Sequence, residues 1–206
     1  GSSSSFTVGL LQAMKAHCGI FQSASDLAKE ASEIEIDILH EPIGKQDQYA
    51  AAFGGLQFIR FLPDGQVSCD PVICSRKEKA DLQASMLLLY TGKTRSASAV
   101  LAEQKSKTSE KREALREMAK LAYNMKQKLE ESAPISKIGE LLNEGWQIKK
   151  SLASGIADNQ IDQWYEGAIK AGAYGGKILG AGGGGFLLVL CDPAKKAKIA
   201  AELKDL

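Results

Sequence analysis

Three stretches of this chain stand out for the chemistry of their side chains and backbone: two suit a bound anion, and one turns a carboxylate inward. Residues 1–5 are Gly1, Ser2, Ser3, Ser4 and Ser5, and they run directly into FTVGLLQAM. Phe6, Leu10, Ala13 and Met14 recur at helical spacing, which predicts a helix over Phe6–His17 with the serines at its amino end. Unpaired backbone N–H groups and the positive end of the helix dipole lie there, and both favour a bound anion. By composition alone the same run reads as a linker. The second stretch is a helix expected over Ser25–Leu39, where Leu27, Ala31, Ile34 and Ile38 form a stripe. Glu35 falls on that buried side, whereas Glu33 and Asp37 look outward. A carboxylate facing inward needs a partner such as Lys45 or a helix end. The third is GGKILGAGGGGFLLVL, residues 175–190, in which strand-forming residues flank a glycine run. That context predicts an ordered hairpin whose bare backbone approaches something closely.

Other elements must hold these three in place. EPIGKQDQYAAAFGG, residues 41–55, reads as a turn-rich passage, and within it Lys45 and Asp47 stand two residues apart. LQFIRFLPDGQVSCDPVI predicts two strands reversing at Pro63-Asp64-Gly65. MLLLYTG, residues 86–92, reads as a buried strand, and Ser96–Lys170 is overwhelmingly helical. There Leu115, Met118, Leu121, Ala122, Met125 and Leu129 make one face apolar, a core-packing pattern, and the charges around Glu103–Arg116 are solvated faces. Phe186–Leu190 closes the glycine segment as a strand, and a last helix follows over Pro193–Leu203.

Composition excludes several classes of function. The 206 residues carry 26 Lys+Arg against 25 Asp+Glu, a net charge of +1. That balance argues against nucleic acid or an anionic membrane as the main partner. Cys18, Cys69, Cys74 and Cys191 are scattered without a CxxC pair, so neither a zinc site nor a disulfide framework is expected, and a cytoplasmic setting fits best. With His17 and His40 the only histidines, multi-histidine metal chemistry has little to build on. No run approaches the roughly 20 apolar residues of a membrane span.

In this order, GSSSS opening a helix, an inward glutamate followed by GKQDQ, and KILGAGGGG before a strand resemble the GHMP kinases. GSSSS is similar to the end of the family's second motif, PxxxGLGSSA, and KILGAGGGG to its third, KxxGAGxGG. EPIGKQDQYAAAFGG, FIRFLPDGQV, LLLYTGKTRSAS and IGELLNEGWQIKKSLASGI narrow the resemblance to the D-glycero-D-manno-heptose 7-phosphate kinases, which are sugar 1-kinases. The match favours reading GSSSS as native. It implies a two-domain α+β fold: a partial ribosomal S5 domain 2-like N-terminal, ATP-binding domain over 1–80, and a ferredoxin-like C-terminal domain over 81–206, with the active site in the cleft between. Family members are longer at both ends, so the resemblance also implies a part of a longer protein.

The same resemblance implies roles. Gly1, Ser2, Ser3, Ser4 and Ser5, with Gly180, Gly182, Gly183 and Gly184, would hold ATP. Ser3 and Glu35 would hold Mg2+, with Ser2 and Ser4 as rivals to Ser3. Asp47 would stand beside the attacking hydroxyl as base or orienting group, although by itself it also reads as an aspartate satisfying turn amides. Lys45 would keep Asp47 ionised or touch a phosphate, or else be solvated. Arg95, after Thr94, would meet the substrate's 7-phosphate through paired donors. The expected activity is ATP- and Mg2+-dependent phosphorylation of the anomeric hydroxyl of D-glycero-D-manno-heptose 7-phosphate. Alternatives are a glucuronate, fucose or galactose 1-kinase, or a sensor that binds sugar and nucleotide without turnover. The expected partners are ATP and a sugar phosphate, with neither nucleic acid nor membrane, and the oligomeric state stays open, a dimer included.

Overall fold

The computed structural model describes residues 2–93 and 97–204, with the side chains of 97–99 left aside. The chain divides into two compact units, Gly1–Val72 and Ile73–Leu206. Among the described residues no helix is long and apolar enough to cross a membrane.

The first unit contains helices α1 (Ser2–His17), α2 (Ala24–Ser32) and α3 (Gln46–Phe53), then a hairpin of β1 (Gln57–Phe61) and β2 (Val67–Pro71). Helix α1 begins four residues earlier than its apolar pattern predicts, so the serines form its first turn. Its expected stripe also faces the other way: Phe6 is 69% exposed, and Leu10 and Met14 are exposed too. Apolar residues occupy both faces of α1, and the face that packs is the one carrying Val8 and Leu11, which meet Leu27, Ala31, Ala51 and Ala52. Ser23 caps α2 by accepting from the Asp26 N–H at 3.1 Å.

Helix α2 does not continue as an α-helix to Leu39. Residues Glu33–Ile38 form a π-helical turn, closed by the Leu39 N–H donating to the Ile34 carbonyl at 2.9 Å. The wider turn shifts every later residue around the axis. Glu35, near the start of the turn, stays buried in register with Ala31, whereas Ile38, expected in the stripe, is exposed. His40 then reverses the chain at φ 57°. The turn-rich reading of residues 41–55 also needs correction, because Gln46–Phe53 is helical.

The second unit opens with α4 (Arg76–Ser85), started by a reciprocal Ser75–Glu78 capping box. A three-stranded antiparallel sheet follows the order β3-β5-β4, with β3 (Met86–Tyr90), β4 (Gly175–Ile178) and β5 (Phe186–Leu190). β3 is an edge strand rather than a fully buried one, and Leu88 and Tyr90 are exposed. Between β3 and β4 run α5 (Ala97–Ser106), α6 (Arg112–Glu130), α7 (Ile135–Lys150) and α8 (Asn159–Ala171), and α9 (Lys196–Glu202) closes the chain. The core gathers Trp146, Ile156, Ile161, Ile178, Leu187, Val189 and Ile199.

Helix α7 lies against β4 at backbone distance. A Cβ on Gly175 would stand 2.0 Å from the Gly139 carbonyl oxygen, and one on Gly139 would stand 2.3 Å from the Tyr174 Cβ. Gly175→Ala is therefore expected to destabilise the protein by about 1–3 kcal/mol, through overpacking against rigid backbone. Gly9→Ala, where a Cβ meets nothing within 4 Å inside α1, should instead stabilise by roughly 0.5–1 kcal/mol. Chemical denaturation of both variants checks the pair, and equal midpoints would refute the contact.

Candidate active site

In the first unit a buried carboxylate collects donors from two other segments. Glu35 is 3% exposed and Ser4, on the first turn of α1, is 1% exposed. The Ser4 hydroxyl donates to Glu35 Oε2 at 2.8 Å. Gln48 is fully buried in the first turns of α3, and its Nε2 donates to the same oxygen. Among the described residues no cation meets Glu35. Burying an anion without a counter-charge costs several kcal/mol, so two neutral donors compensate it only in part. The Gln48 Oε1 is itself buried with no hydrogen-bond partner.

Ser2, Ser3 and Ser5 are exposed, so Ser4 alone among the four turns inward to Glu35. Asp47 and Gln48 are consecutive on α3, roughly 100° apart around the axis. Gln48 points into the unit, and Asp47, half-buried, lies at the helix start beside this network. Lys45 is exposed at the N-cap position and makes no side-chain capping bond. Gly1 and Arg95 lie outside the described residues, as does Thr94.

A hydroxyl and a carboxylate are hard oxygen donors, and Mg2+ takes one or two such protein ligands. The uncompensated charge of Glu35 fits a cation beside Ser4, and no cluster of three His, Cys, Asp or Glu that could hold a metal forms among the described residues. Gln48 is the functional candidate that sequence reasoning missed. Its signal was its place in GKQDQ, one residue after Asp47, but no pattern marks a glutamine as fully buried.

In the second unit, residues 179–185 link β4 to β5 with Gly180, Gly182, Gly183, Gly184 and Gly185 all at positive φ. The loop is pinned from several sides. The Gly183 N–H donates to the Ile156 carbonyl at 2.8 Å and the Gly185 N–H to the Lys93 carbonyl at 3.0 Å. The Thr91 hydroxyl donates to the Gly185 carbonyl at 2.9 Å. Lys93 is itself fixed by Asp158, 2.7 Å from its Nζ, and by the face of Trp164. A Cβ at Gly182 would approach Ile156 to 2.9 Å, and one at Gly184 the Lys93 carbonyl oxygen to 2.5 Å. The expected close approach of bare backbone is thus made within this unit. Among the described residues the N–H groups of Gly182 and Gly184 find no acceptor; Gly184 is buried, so the half-buried Gly182 is the better placed to meet an anion.

Lys149, on the last turn of α7, donates from Nζ to the Gly180 carbonyl at 2.5 Å. Burial, reinforced by the charge of Lys177, pushes its ammonium down to about 8, and burial lowers Lys177 as well. Both lysines lack an acidic partner among the described residues. One unit thus offers an oxygen pair with surplus negative charge, suited to a cation, and the other a rigid glycine loop whose N–H groups can donate to anionic oxygens.

Comparison with known proteins agrees with this chemistry. The profile of the GHMP kinases N terminal domain matches residues 1–55, and that of the GHMP kinases C terminal domain matches residues 110–206. A D-glycero-alpha-D-manno-heptose 7-phosphate kinase of Campylobacter jejuni is 32% identical over 206 residues, covering 99% of this chain and 60% of its own length. The crystal structure of a D-glycero-D-manno-heptose 1-phosphate kinase from Bacteroides thetaiotaomicron superposes with a TM-score of 0.74 at 27% identity, over 98% of this chain and 56% of that one. Streptococcus pneumoniae phosphomevalonate kinase, in complex with phosphomevalonate and AMPPNP, shares the fold with a TM-score of 0.81 at 17% identity, over 100% of this chain and 65% of that one. The chain spans less than two thirds of the length of each of these three. The two profiles together take in most of the chain and parts of both units, and with them the α+β architecture shows that this protein belongs to the GHMP kinases.

Proposed function

We propose that the protein is an ATP-dependent sugar kinase that phosphorylates the anomeric hydroxyl of D-glycero-D-manno-heptose 7-phosphate. The observation that carries this reading is the buried pair of Ser4, on the first turn of α1, and Glu35, joined through Gln48, the α3 residue next to Asp47. Phosphoryl transfer demands charge neutralisation and alignment more than covalent help from the protein. The open N–H groups of α1 and of the glycine loop are the groups we assign to the triphosphate. Ser4 and Glu35, rather than Ser3, are our assignment for Mg2+, which when bound would neutralise phosphate charge. Gln48 positions Glu35 by holding the oxygen that Ser4 also holds. Asp47 orients the sugar hydroxyl and takes its proton as the oxygen–phosphorus bond forms and the bond to the leaving ADP oxygen breaks. Lys45 is free in its exposed position to meet a phosphate on either reactant. The choice of heptose rests on the Campylobacter jejuni and Bacteroides thetaiotaomicron relatives and on the segments shared with heptose kinases.

The test supplies the protein with ATP, Mg2+ and a panel of sugars, and reads ADP release together with phosphorus NMR of the product. Heptose 7-phosphate is expected to exceed galactose, fucose and glucuronate by roughly 10- to 100-fold in kcat/KM, the worth of charge-assisted bonds to one phosphate. A different preferred sugar overturns the substrate, and no ADP release with any sugar overturns the kinase reading. Asp47→Asn should lower kcat by about 10²–10⁴ while nucleotide still binds, and undiminished turnover removes Asp47 from the mechanism.

The oxygen pair has its own check. Ser4→Ala should raise the Mg2+ concentration needed for half-maximal activity. Gln48→Leu should also cost roughly 1–3 kcal/mol of stability, since it strips a donor from a buried carboxylate. Denaturation and Mg2+ titration read the two separately, and a Gln48→Leu protein as stable as the parent would contradict the buried network.

A further inference from the structure

A second concave site lies in the C-terminal unit, between α6, α7 and β4, and encloses about 180 Å³. Its walls are mostly apolar, with Met118, Leu121 and Met125 on α6. Trp146, Lys149 and Lys177 are its lining residues with polar side-chain atoms, and no acidic residue is among the lining residues.

All three polar groups are hydrogen-bond donors with capacity to spare. Trp146 is 1% exposed, and its Nε1–H is buried without an acceptor. A buried indole N–H left unpaired is rare enough to need an explanation. Lys149 spends one donor on the Gly180 carbonyl and has two more. Lys177 has no hydrogen-bond or ion-pair partner among the described residues. The pocket thus combines unmet donors, positive charge and an apolar body. The two methionines make that body adaptable in shape.

We propose that this pocket binds a small organic anion: an acidic head held by Lys149, Lys177 and the Trp146 indole, and a short alkyl tail laid between α6 and α7. At about 30 Å³ for each water displaced, the cavity has room for a body of roughly six to eight non-hydrogen atoms. The head supplies the counter-charge that neither lysine has. The same lysine holds the glycine loop at Gly180, so an occupant that draws on Lys149 also reaches residues 180–182. This site does not depend on the kinase reading, because binding is measured without turnover.

The experiment is a titration of the isotope-labelled protein with hexanoate, followed through the indole N–H resonances of Trp146 and Trp164 and the amides of Gly180 and Ala181. Hexyl phosphate, hexanol and acetate serve as companion ligands. Trp146 and the Gly180 region should shift saturably with hexanoate or hexyl phosphate while Trp164 stays in place, and the tighter of the two identifies the head as carboxylate or phosphate. Hexanol and acetate should bind at least about tenfold more weakly, since one lacks the charge-assisted bonds and the other the tail. Lys149→Met/Lys177→Met should weaken binding at least about tenfold. Lys149→Gln provides a milder variant should the double one lose its fold, and the Trp164 resonance reports folding in both. The proposal is overturned if millimolar hexanoate leaves Trp146 unmoved, if hexanol or acetate matches it, or if folded lysine variants bind unchanged. Displacement of the ligand by MgATP would also overturn it, by assigning the pocket to the nucleotide.

Discussion

Glu35 imposes the central requirement on the N-terminal unit. A carboxylate at 3% exposure loses its hydration, and donors must be brought to it from elsewhere in the chain. They come from α1, through Ser4, and from α3, through Gln48. Several local peculiarities follow from that one need. The serines have to be helical, because only on the first turn of α1 does Ser4 share a face with Val8. The chain after α2 widens into a π-helical turn that keeps Glu35 inside while Glu33 and Asp37 remain in solvent. Helix α3 begins at Gln46, which sends Gln48 inward and leaves Asp47 about 100° away at the helix start.

The C-terminal unit positions its candidate loop mainly by backbone, with one side-chain charge, the Lys149 ammonium, at the loop's start. Glycines at 139 and 175 let α7 and β4 touch, and glycines at 182 and 184 let the loop rest on Ile156 and Lys93. The loop's fixity comes from carbonyls and N–H groups already paired with neighbours, at Gly183, Gly185 and Gly180. Substituting these glycines would disturb packing before it disturbed any ligand. Loss of activity in a loop variant is therefore weak support for ligand contact unless folding is measured alongside. Gly180 and Gly185 differ, since their Cβ positions are open and only the backbone conformation restricts them.

The strands and the long helices were legible in the sequence because their signals are local. Pro63-Asp64-Gly65 marks the β1–β2 reversal, and the apolar runs flanking the glycines mark β4 and β5. Glu35 was legible as an inward carboxylate because Ala31 lies four residues before it, within the register that survives into the π-turn. Ile38 was misplaced because a change of helical pitch leaves no mark in residue type. The face of α1 was misread because Phe6, Leu10 and Met14 make a better apolar stripe than Ser4, Val8 and Leu11, and only tertiary packing decides between them. The preference for Ser3 over Ser4 fails to match the geometry for the same reason, since adjacent serines differ in direction and not in chemistry. Gln48 stayed invisible because a buried glutamine is defined by its partners, and these come from residues 13 positions away.

Lys149 shows how the two demands on the second unit meet in one residue. Its ammonium is held at the root of the glycine loop in surroundings that disfavour charge, and with Lys177 close by instead of an acid. A neutral residue there would remove the penalty of burying charge, but it would also remove the bond to the Gly180 carbonyl that fixes the start of the loop. The position therefore trades desolvation for geometry. Any anion that settled beside Lys149 and Lys177 would favour the protonated form of both and so strengthen the donor that Gly180 uses. Occupancy of the apolar pocket and rigidity of the glycine loop are in this way two readings of a single ammonium group.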